Sequence, residues 1–432
     1  MKKKLIFIFI MSVCVITACE KRTEKNSDLI SIAEYGIEYI AAPQGCEIVS
    51  DADAFGSVDK NQTYDFVADF NPDFYNGYGV TDSGNIMYTL FSDQNYLTYY
   101  NKQSGENGLL CAKPDCNHDN TACNAYLGFG NGLIYYDGFL YTIKEEDMSF
   151  IKIACDGTTR ETVRSLLPVE DGNVDKENDT FYTSKFIIHK GYVYYYYQFY
   201  SGMTEDTYYL NGSNCIWKAA LDGTGEPECI IPAVCESTSI VINLKGFGSY
   251  IYMNIPQKNT IGGSLYRYNI ESDKVELLSD IGEDVYGYTV QDNKIYYANY
   301  TEQTDKVFCY DLENYENKEF VEISGNDGWY CSFVYADNDS LYFYYVTDDM
   351  SDSSVTWGRL YIYDYEGNEQ TVVFLAKTDN NGNGVYELLC GMDEDRIYLS
   401  RQSSNENGMT QRLCYMKKPE MINGICDIQE VN

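Results

Sequence analysis

Ser249-Tyr250-Ile251-Tyr252, Leu265-Tyr266-Arg267-Tyr268 and Lys274-Val275-Glu276-Leu277-Leu278 follow one another with polar residues between them, and this stretch decides how the chain folds. Each run alternates in character with a period of two. That period sends successive side chains to opposite faces of an extended strand, so the stretch reads as three short strands of one antiparallel sheet.

The unit recurs along the chain. A turn residue or two, a branched apolar residue and a tyrosine open a strand at Asn85-Ile86-Met87-Tyr88, Gly138-Phe139-Leu140-Tyr141, Gly191-Tyr192-Val193-Tyr194, Ser249-Tyr250-Ile251-Tyr252, Asn293-Lys294-Ile295-Tyr296, Asp339-Ser340-Leu341-Tyr342 and Asp395-Arg396-Ile397-Tyr398. The tyrosines lie 53, 53, 58, 44, 46 and 56 residues apart. A second strand follows each opener, as at Leu97-Thr98-Tyr99-Tyr100, Val307-Phe308-Cys309-Tyr310 and Leu360-Tyr361-Ile362-Tyr363. Turns such as Asp156-Gly157, Asp222-Gly223 and Glu366-Gly367 then lead to a third. Small sheets repeated at this spacing form a β-propeller, because each can bury its faces only against its neighbours. The expectation is an all-β fold: one propeller domain over residues 35–432, with seven blades of three to four antiparallel strands. A ring leaves no free edge when the two chain ends share a blade. Ile37-Glu38-Tyr39-Ile40 and Glu47-Ile48-Val49 are therefore expected to pair with the strands around Leu413–Met416 and Ile425–Ile428.

Composition agrees with β-structure and narrows the partners. The chain of 432 residues holds 31 Lys and Arg against 66 Asp and Glu, a formal net charge of −35. A field of that sign repels nucleic acid and anionic headgroups, so nucleic acid is not an expected partner. It favours cations, basic partners or neutral ligands such as sugars, and it also keeps a protein soluble with no further role. At 44% hydrophobic and 15% aromatic residues the chain can still build a packed core. Its 44 tyrosines suit half-buried pleated surface, with the ring packed and the hydroxyl wet.

The N-terminus points to export. Met1-Lys2-Lys3-Lys4 precedes the apolar run Leu5–Ile16, and together they have the charge and length of a signal peptide, residues 1–18, too short for a comfortable membrane span. Ile16-Thr17-Ala18-Cys19 resembles the lipobox of bacterial lipoproteins. The resemblance implies cleavage before Cys19 and lipidation of that cysteine, and two or more acyl chains make a stable anchor. Residues 19–34 are mostly polar and read as a tether. Lipobox, strand openers, the Leu-Tyr-Arg-Tyr strand at 265–268 and the Asp-Gly-Thr turns at 156–158 and 222–224 together make the chain look like bacterial lipoproteins whose propellers are similar to Tol-type and low-density-lipoprotein-receptor-like propellers. That likeness runs from about residue 35 onward. The Tyr-Trp-Thr-Asp signature of the receptor propellers is absent. The resemblance implies an extracytoplasmic, membrane-anchored protein at a bacterial cell surface and a binding scaffold.

Two stretches carry ligand chemistry. Cys111, Cys116, His118 and Cys123 form a Cys-x4-Cys-x-His-x4-Cys array. Three thiolates and an imidazole are a complete tetrahedral zinc set; in an oxidising compartment two of the cysteines form a disulfide instead, and in an anaerobe all three stay as packed thiols. In the second stretch Asp379, Asn381, Asn383 and Glu387 fall at positions one, three, five and nine of a loop, with Gly384 at six and the Val385 carbonyl at seven. The pattern resembles the calcium loops of integrin-type propellers, with asparagines lowering the ligand charge; the alternative is a plain Asn-Gly hairpin.

Catalytic signatures are sparse. The Gly-x-Ser-x-Gly elbow and the sialidase-type Asp box are missing, and only His118 and His189 supply imidazole. The sequence thus points to a non-catalytic propeller that binds a glycan, peptide or protein at one face and meets the membrane through its lipid alone. The alternatives are a glycan-active enzyme using paired carboxylates and a structural component of the envelope.

Overall fold

Tight turns set the strands in place. Asp137 and Gly138, Lys190 and Gly191, and Asp292 and Asn293 all hold positive φ, the pair of left-handed residues with which a two-residue hairpin turn matches the twist of its strands. Each of these turns joins an upstream strand to an opener strand. The recurring tyrosine units therefore mark the second strand of each meander, and the first strand lies before them.

The computed structural model describes residues 46–49 and 79–431, apart from 91–95, 120, 129, 145–146, 168–179, 183–185, 201–211, 232–242, 257–262, 283–284, 300–305, 324–328, 348–357, 379–383, 394 and 406–407. Their regular secondary structure is almost entirely β-strand. The first meander is Gly79–Asp82, Ile86–Leu90, Leu97–Asn101 and Asn107–Leu109, and the second Gly130–Tyr136, Phe139–Lys144, Ser149–Ala154 and Arg160–Ser165. The third is Phe186–His189, Tyr192–Tyr200, Gly212–Ala220 and Glu228–Ile231, with Thr180–Tyr182 added beside Tyr192–Tyr200. Leu244–Phe247, Tyr250–Pro256, Gly263–Asn269 and Lys274–Leu278 form the fourth, and Val285–Gln291, Lys294–Asn299, Lys306–Asp311 and Asn317–Glu322 the fifth. The sixth is Trp329–Ala336, Leu341–Thr347, Gly358–Tyr363 and Glu369–Thr378; the last is Gly384–Met392, Arg396–Asn405, Gly408–Lys417 and Gln429–Glu430.

The arrangement is a β-propeller, but hydrogen bonding collects the strands into five sheets rather than the seven expected. The reason is local. Gly263 pairs with Val285 and so fuses the fourth meander to the fifth; Lys377 and Thr378 pair with Val385 and Gly384 and fuse the sixth to the last. First strands lie side by side: that of the first meander against that of the second, the second against the third, and so on through the fourth, fifth and sixth, with Gly384–Met392 beside Gly79–Asp82. Such close backbones need small residues. A Cβ on Gly79 would sit 2.2 Å from the Leu133 Cβ, and one on Gly287 would sit 3.2 Å from the Phe333 Cα.

Closure also departs from expectation. Cys46–Val49 pairs in parallel with Val275–Leu278 of the fourth meander, not with the C-terminal strands, and Ile37–Ile40 lie outside the described residues. Gln429–Glu430 pairs with Cys414 and Tyr415 of its own meander. Side chains join the ends instead. Val80, Met87 and Tyr100 of the first meander share one buried cluster with Cys390, Tyr398 and Leu413 of the last. Beside it the Lys102 ammonium donates to Asp82 at 2.8 Å and to Asp393 at 2.9 Å.

The seven opener tyrosines, Tyr88, Tyr141, Tyr194, Tyr252, Tyr296, Tyr342 and Tyr398, are all buried rather than half wet. Burial pushes the Tyr252 hydroxyl up to about 12. Several hydroxyls reach partners: Tyr88 donates to the Cys155 carbonyl of the second meander at 3.1 Å, Tyr342 to Asp337 at 2.6 Å and Tyr398 to Asp393 at 2.9 Å. Asp337 and Asp393 each also cap their own turn through backbone N–H groups, those of Asp339 and Ser340 and those of Asp395 and Arg396. A lysine from an adjacent meander completes each lock: Lys418 on Asp337 at 2.6 Å, and Lys102 on Asp393.

Removing the closing cation tests this. Lys102→Ala leaves Asp82 and Asp393 facing each other at a largely buried seam, and the urea midpoint should fall by an amount equivalent to about 2 kcal/mol. The seam also predicts a pH dependence. Burial alone would raise the Asp393 carboxyl, but Lys102, Tyr398 and the Asp395 N–H hold it below the ordinary carboxylate range. A depressed folded pKa contributes stability that is present above the unfolded value of about 4 and is lost as pH falls through the folded value. Acid unfolding curves should therefore show the wild type losing more stability below about pH 4 than Asp393→Asn does.

Candidate functional site

The link between the first and second meanders carries the cysteine array. Cys111 follows the last strand of the first meander, and its N–H donates to the Leu109 carbonyl at 2.9 Å. A turn closed by the Cys116 N–H on the Lys113 carbonyl at 3.3 Å brings Cys116 back, and His118 occupies the left-handed region at φ 56°. The chain then returns to Cys123, whose carbonyl accepts from the Tyr126 N–H at 3.2 Å. As a result the three Sγ atoms and one imidazole nitrogen lie within 4.8 Å of one another. The His118 Nδ1 is 3.3 Å from the Cys123 Sγ. Cys123 is buried and the other three are half-buried; all three cysteines are free thiols.

The second meander supports this loop with residues the spacing of cysteines could not reveal. The Asp156 carboxylate accepts from the Thr158 N–H at 3.0 Å and from its hydroxyl at 2.6 Å, shaping the Asp-Gly-Thr turn. The Asn124 amide donates to the Gly157 and Thr158 carbonyls, both at 2.9 Å. Gly157 fits because any side chain there would meet the Leu110 carbonyl at 2.8 Å. Arg160 donates to the Thr121 carbonyl at 2.8 Å, to the Cys123 carbonyl at 2.9 Å and to the Tyr126 carbonyl. The local field splits the thiols. Burial acts to raise Cys111, yet the N–H groups of Lys113 and Asn124 and the Cys123 and Cys116 thiols bring it down to about 6. Burial and the Cys116 and Cys111 sulfurs push Cys123 up to about 11.

The other sequence candidates fare differently. Asp379, Asn381 and Asn383 lie outside the described residues, as does Cys19. Val385 is half-buried on Gly384–Met392. Glu387 is buried, and its Oε1 accepts from Arg401 Nη2 at 2.6 Å and Nε at 2.9 Å, so this carboxylate is committed to a cross-strand guanidinium. His189 is buried too, with Nε2 at 2.8 Å from the Gly248 carbonyl of the fourth meander.

One surface feature was not legible in the sequence. Gly287 lets the first strand of the fifth meander approach that of the sixth, and at the same end Tyr286 meets Tyr330 edge to face with ring centres 5.6 Å apart. Next to Tyr330, Trp329 stacks under the Arg359 guanidinium at 3.9 Å, and the Phe374 ring lies 6.0 Å beyond that guanidinium. Tyr286, Trp329 and Tyr330 are half-buried and Phe374 is 58% exposed, so aromatic faces and a planar cation reach solvent together.

Comparison with known proteins gives the fold its setting. No family model and no curated protein matches the sequence. Among solved structures the chain is similar to a puromycin-hydrolyzing peptidase of Mycobacterium tuberculosis, with 12% of this chain unmatched, a TM-score of 0.50 and 10% identity, and it spans 56% of that protein's length. It is also similar to an oligogalacturonate lyase solved in complex with manganese, at a TM-score of 0.50 and 12% identity over 83% of this chain and 88% of that one. At these identities the likeness is one of fold, and the chain is a β-propeller of the kind found in such peptidases and lyases.

Proposed function

We propose that the chain is exported, cleaved before Cys19, anchored to a membrane by acyl chains on that cysteine and displayed on a tether of residues 19–34. Its propeller, counted by meanders as seven blades, then acts outside the cytoplasm as a non-catalytic scaffold that binds a glycan, peptide or protein. The observation that carries the binding reading is the run Tyr286, Tyr330, Trp329, Arg359 and Phe374 across one end of adjacent blades. Half-exposed aromatic faces with a guanidinium beside them suit sugar rings and peptide side chains, since rings stack and the planar cation donates several hydrogen bonds. The placement of both histidines supports a scaffold: His118 belongs to the cysteine cluster and His189 to an interblade bond. That leaves no imidazole for the general base of acyl-transfer chemistry. A glycan-active enzyme is the alternative that the likeness to an oligogalacturonate lyase brings to this chain.

Two measurements test this. Metabolic labelling with an alkyne fatty acid should tag the wild type in the membrane fraction, and Cys19→Ala should be unlabelled; label retained on Cys19→Ala would defeat the anchor. Full-length protein in detergent should bind a subset of glycan or peptide arrays without releasing product. Trp329→Ala should weaken that binding by about 2 kcal/mol, roughly thirtyfold. Steady release of cleaved glycan would favour the enzyme instead.

A further inference from the structure

The cysteine array has features that neither a disulfide nor loose packing accounts for. A disulfide uses two sulfurs, whereas here four donor atoms of two kinds converge within 4.8 Å. Zinc bonds of about 2.3 Å to sulfur, directed to the corners of a tetrahedron, place two sulfurs about 3.8 Å apart, which falls inside that spread. The imidazole is brought in at a cost, because His118 is a non-glycine residue in the left-handed region. The loop does not hold itself together, either. Arg160 of the next blade donates to the Thr121 and Cys123 carbonyls, Gly157 packs against the Leu110 backbone, and Asn124 of the loop donates to the Gly157 and Thr158 carbonyls.

The geometry points to a structural zinc centre formed by Cys111, Cys116, His118 and Cys123, which staples the link between the first two blades onto the Asp156–Thr158 turn. This inference goes beyond the binding reading and stands whatever the ring face binds. Four protein donors fill a tetrahedral shell and leave no position for water or substrate, so the ion's role is structural. Soft thiolates with one imidazole select zinc over calcium, magnesium and manganese, which prefer oxygen. Each thiol gives up its proton as it ligates, and three thiolates with a neutral imidazole leave the zinc complex with one negative charge. The Arg160 guanidinium, hydrogen-bonded to the Cys123 carbonyl at 2.9 Å, is placed to offset it.

Full-length protein purified in detergent under reducing conditions and dialysed against zinc-free buffer tests the centre by elemental analysis. The expected result is one zinc per chain, lost in Cys116→Ser and in His118→Ala. Cys155→Ser, whose sulfur lies outside the set and donates to the Gly138 carbonyl, should keep it. If the ligand variants fail to fold, the wild type alone still decides: cobalt in place of zinc should give a thiolate-to-cobalt charge-transfer band and the intense visible bands of a tetrahedral site. Arg160→Ala, as a positioning variant, should weaken zinc retention against a competing chelator by about tenfold. Protein without metal, zinc kept by both ligand variants, iron in place of zinc, or a disulfide within Cys111–Cys123 in the native protein would each overturn the assignment.

Discussion

Lys102 stands between two carboxylates from opposite ends of the described chain, Asp82 and Asp393, and the ring depends on that contact. Many rings close by lending a terminal strand to the first blade. Here the last strand, Gln429–Glu430, stays in its own sheet, and among the described residues the first and last meanders meet through side chains: the ammonium, the Arg396 guanidinium near the Tyr100 hydroxyl, and the apolar cluster beneath them. The same device appears elsewhere in the ring. Lys418 reaches Asp337 of the preceding meander, and Lys218 reaches Tyr268 and Asp273 of the following one. At Asp337 and Asp393 a carboxylate that caps a turn, receives a tyrosine hydroxyl and is neutralised by the neighbour's lysine satisfies polar groups that water would otherwise have to reach.

This use of cations shapes the outside as well. With 31 basic side chains against 66 acidic ones, the chain spends many of its scarce cations between strands and between blades. Lys102, Lys218, Arg267, Arg401 and Lys418 are all paired and at most a quarter exposed. Other cations, Lys318 and Arg412 among them, stay exposed, and the Arg359 guanidinium lies where aromatic rings can share a ligand with it.

Much of this could be read from the sequence, for physical reasons. The openers were legible because a tight turn followed by a branched residue and tyrosine is a local signal, and each of the seven lies on a strand. The first strands were not, because their composition answers to contact with neighbouring backbones: Gly79, Lys245 and Gly287 sit where alternation would place packing residues. Tyrosine burial was underestimated since the hydroxyl's partners, such as Asp393 or the Cys155 carbonyl, belong to turns and neighbouring blades that no window of sequence brings together. The four donors of the Cys/His cluster were legible because all fall within thirteen residues. Arg160 and Asn124 were not, and neither was the aromatic face, whose members come from two blades. Glu387, placed ninth in a loop by spacing, pairs with Arg401 across its strands, a contact that no window of sequence displays.

Closure by side chains has an evolutionary consequence. A ring sealed by a shared strand has one hybrid blade, and duplicating or deleting a repeat near it breaks a sheet. Among the described residues each four-stranded meander is contiguous in sequence, so a recombination event that adds or drops one whole repeat leaves the antiparallel pairing inside each surviving meander intact. The fit of Lys102 between two carboxylates and the cluster below it, together with the contacts between the new neighbours, must then be re-established. An architecture of this kind can thus change its number of meanders by single duplications followed by tuning of the contacts at the seams.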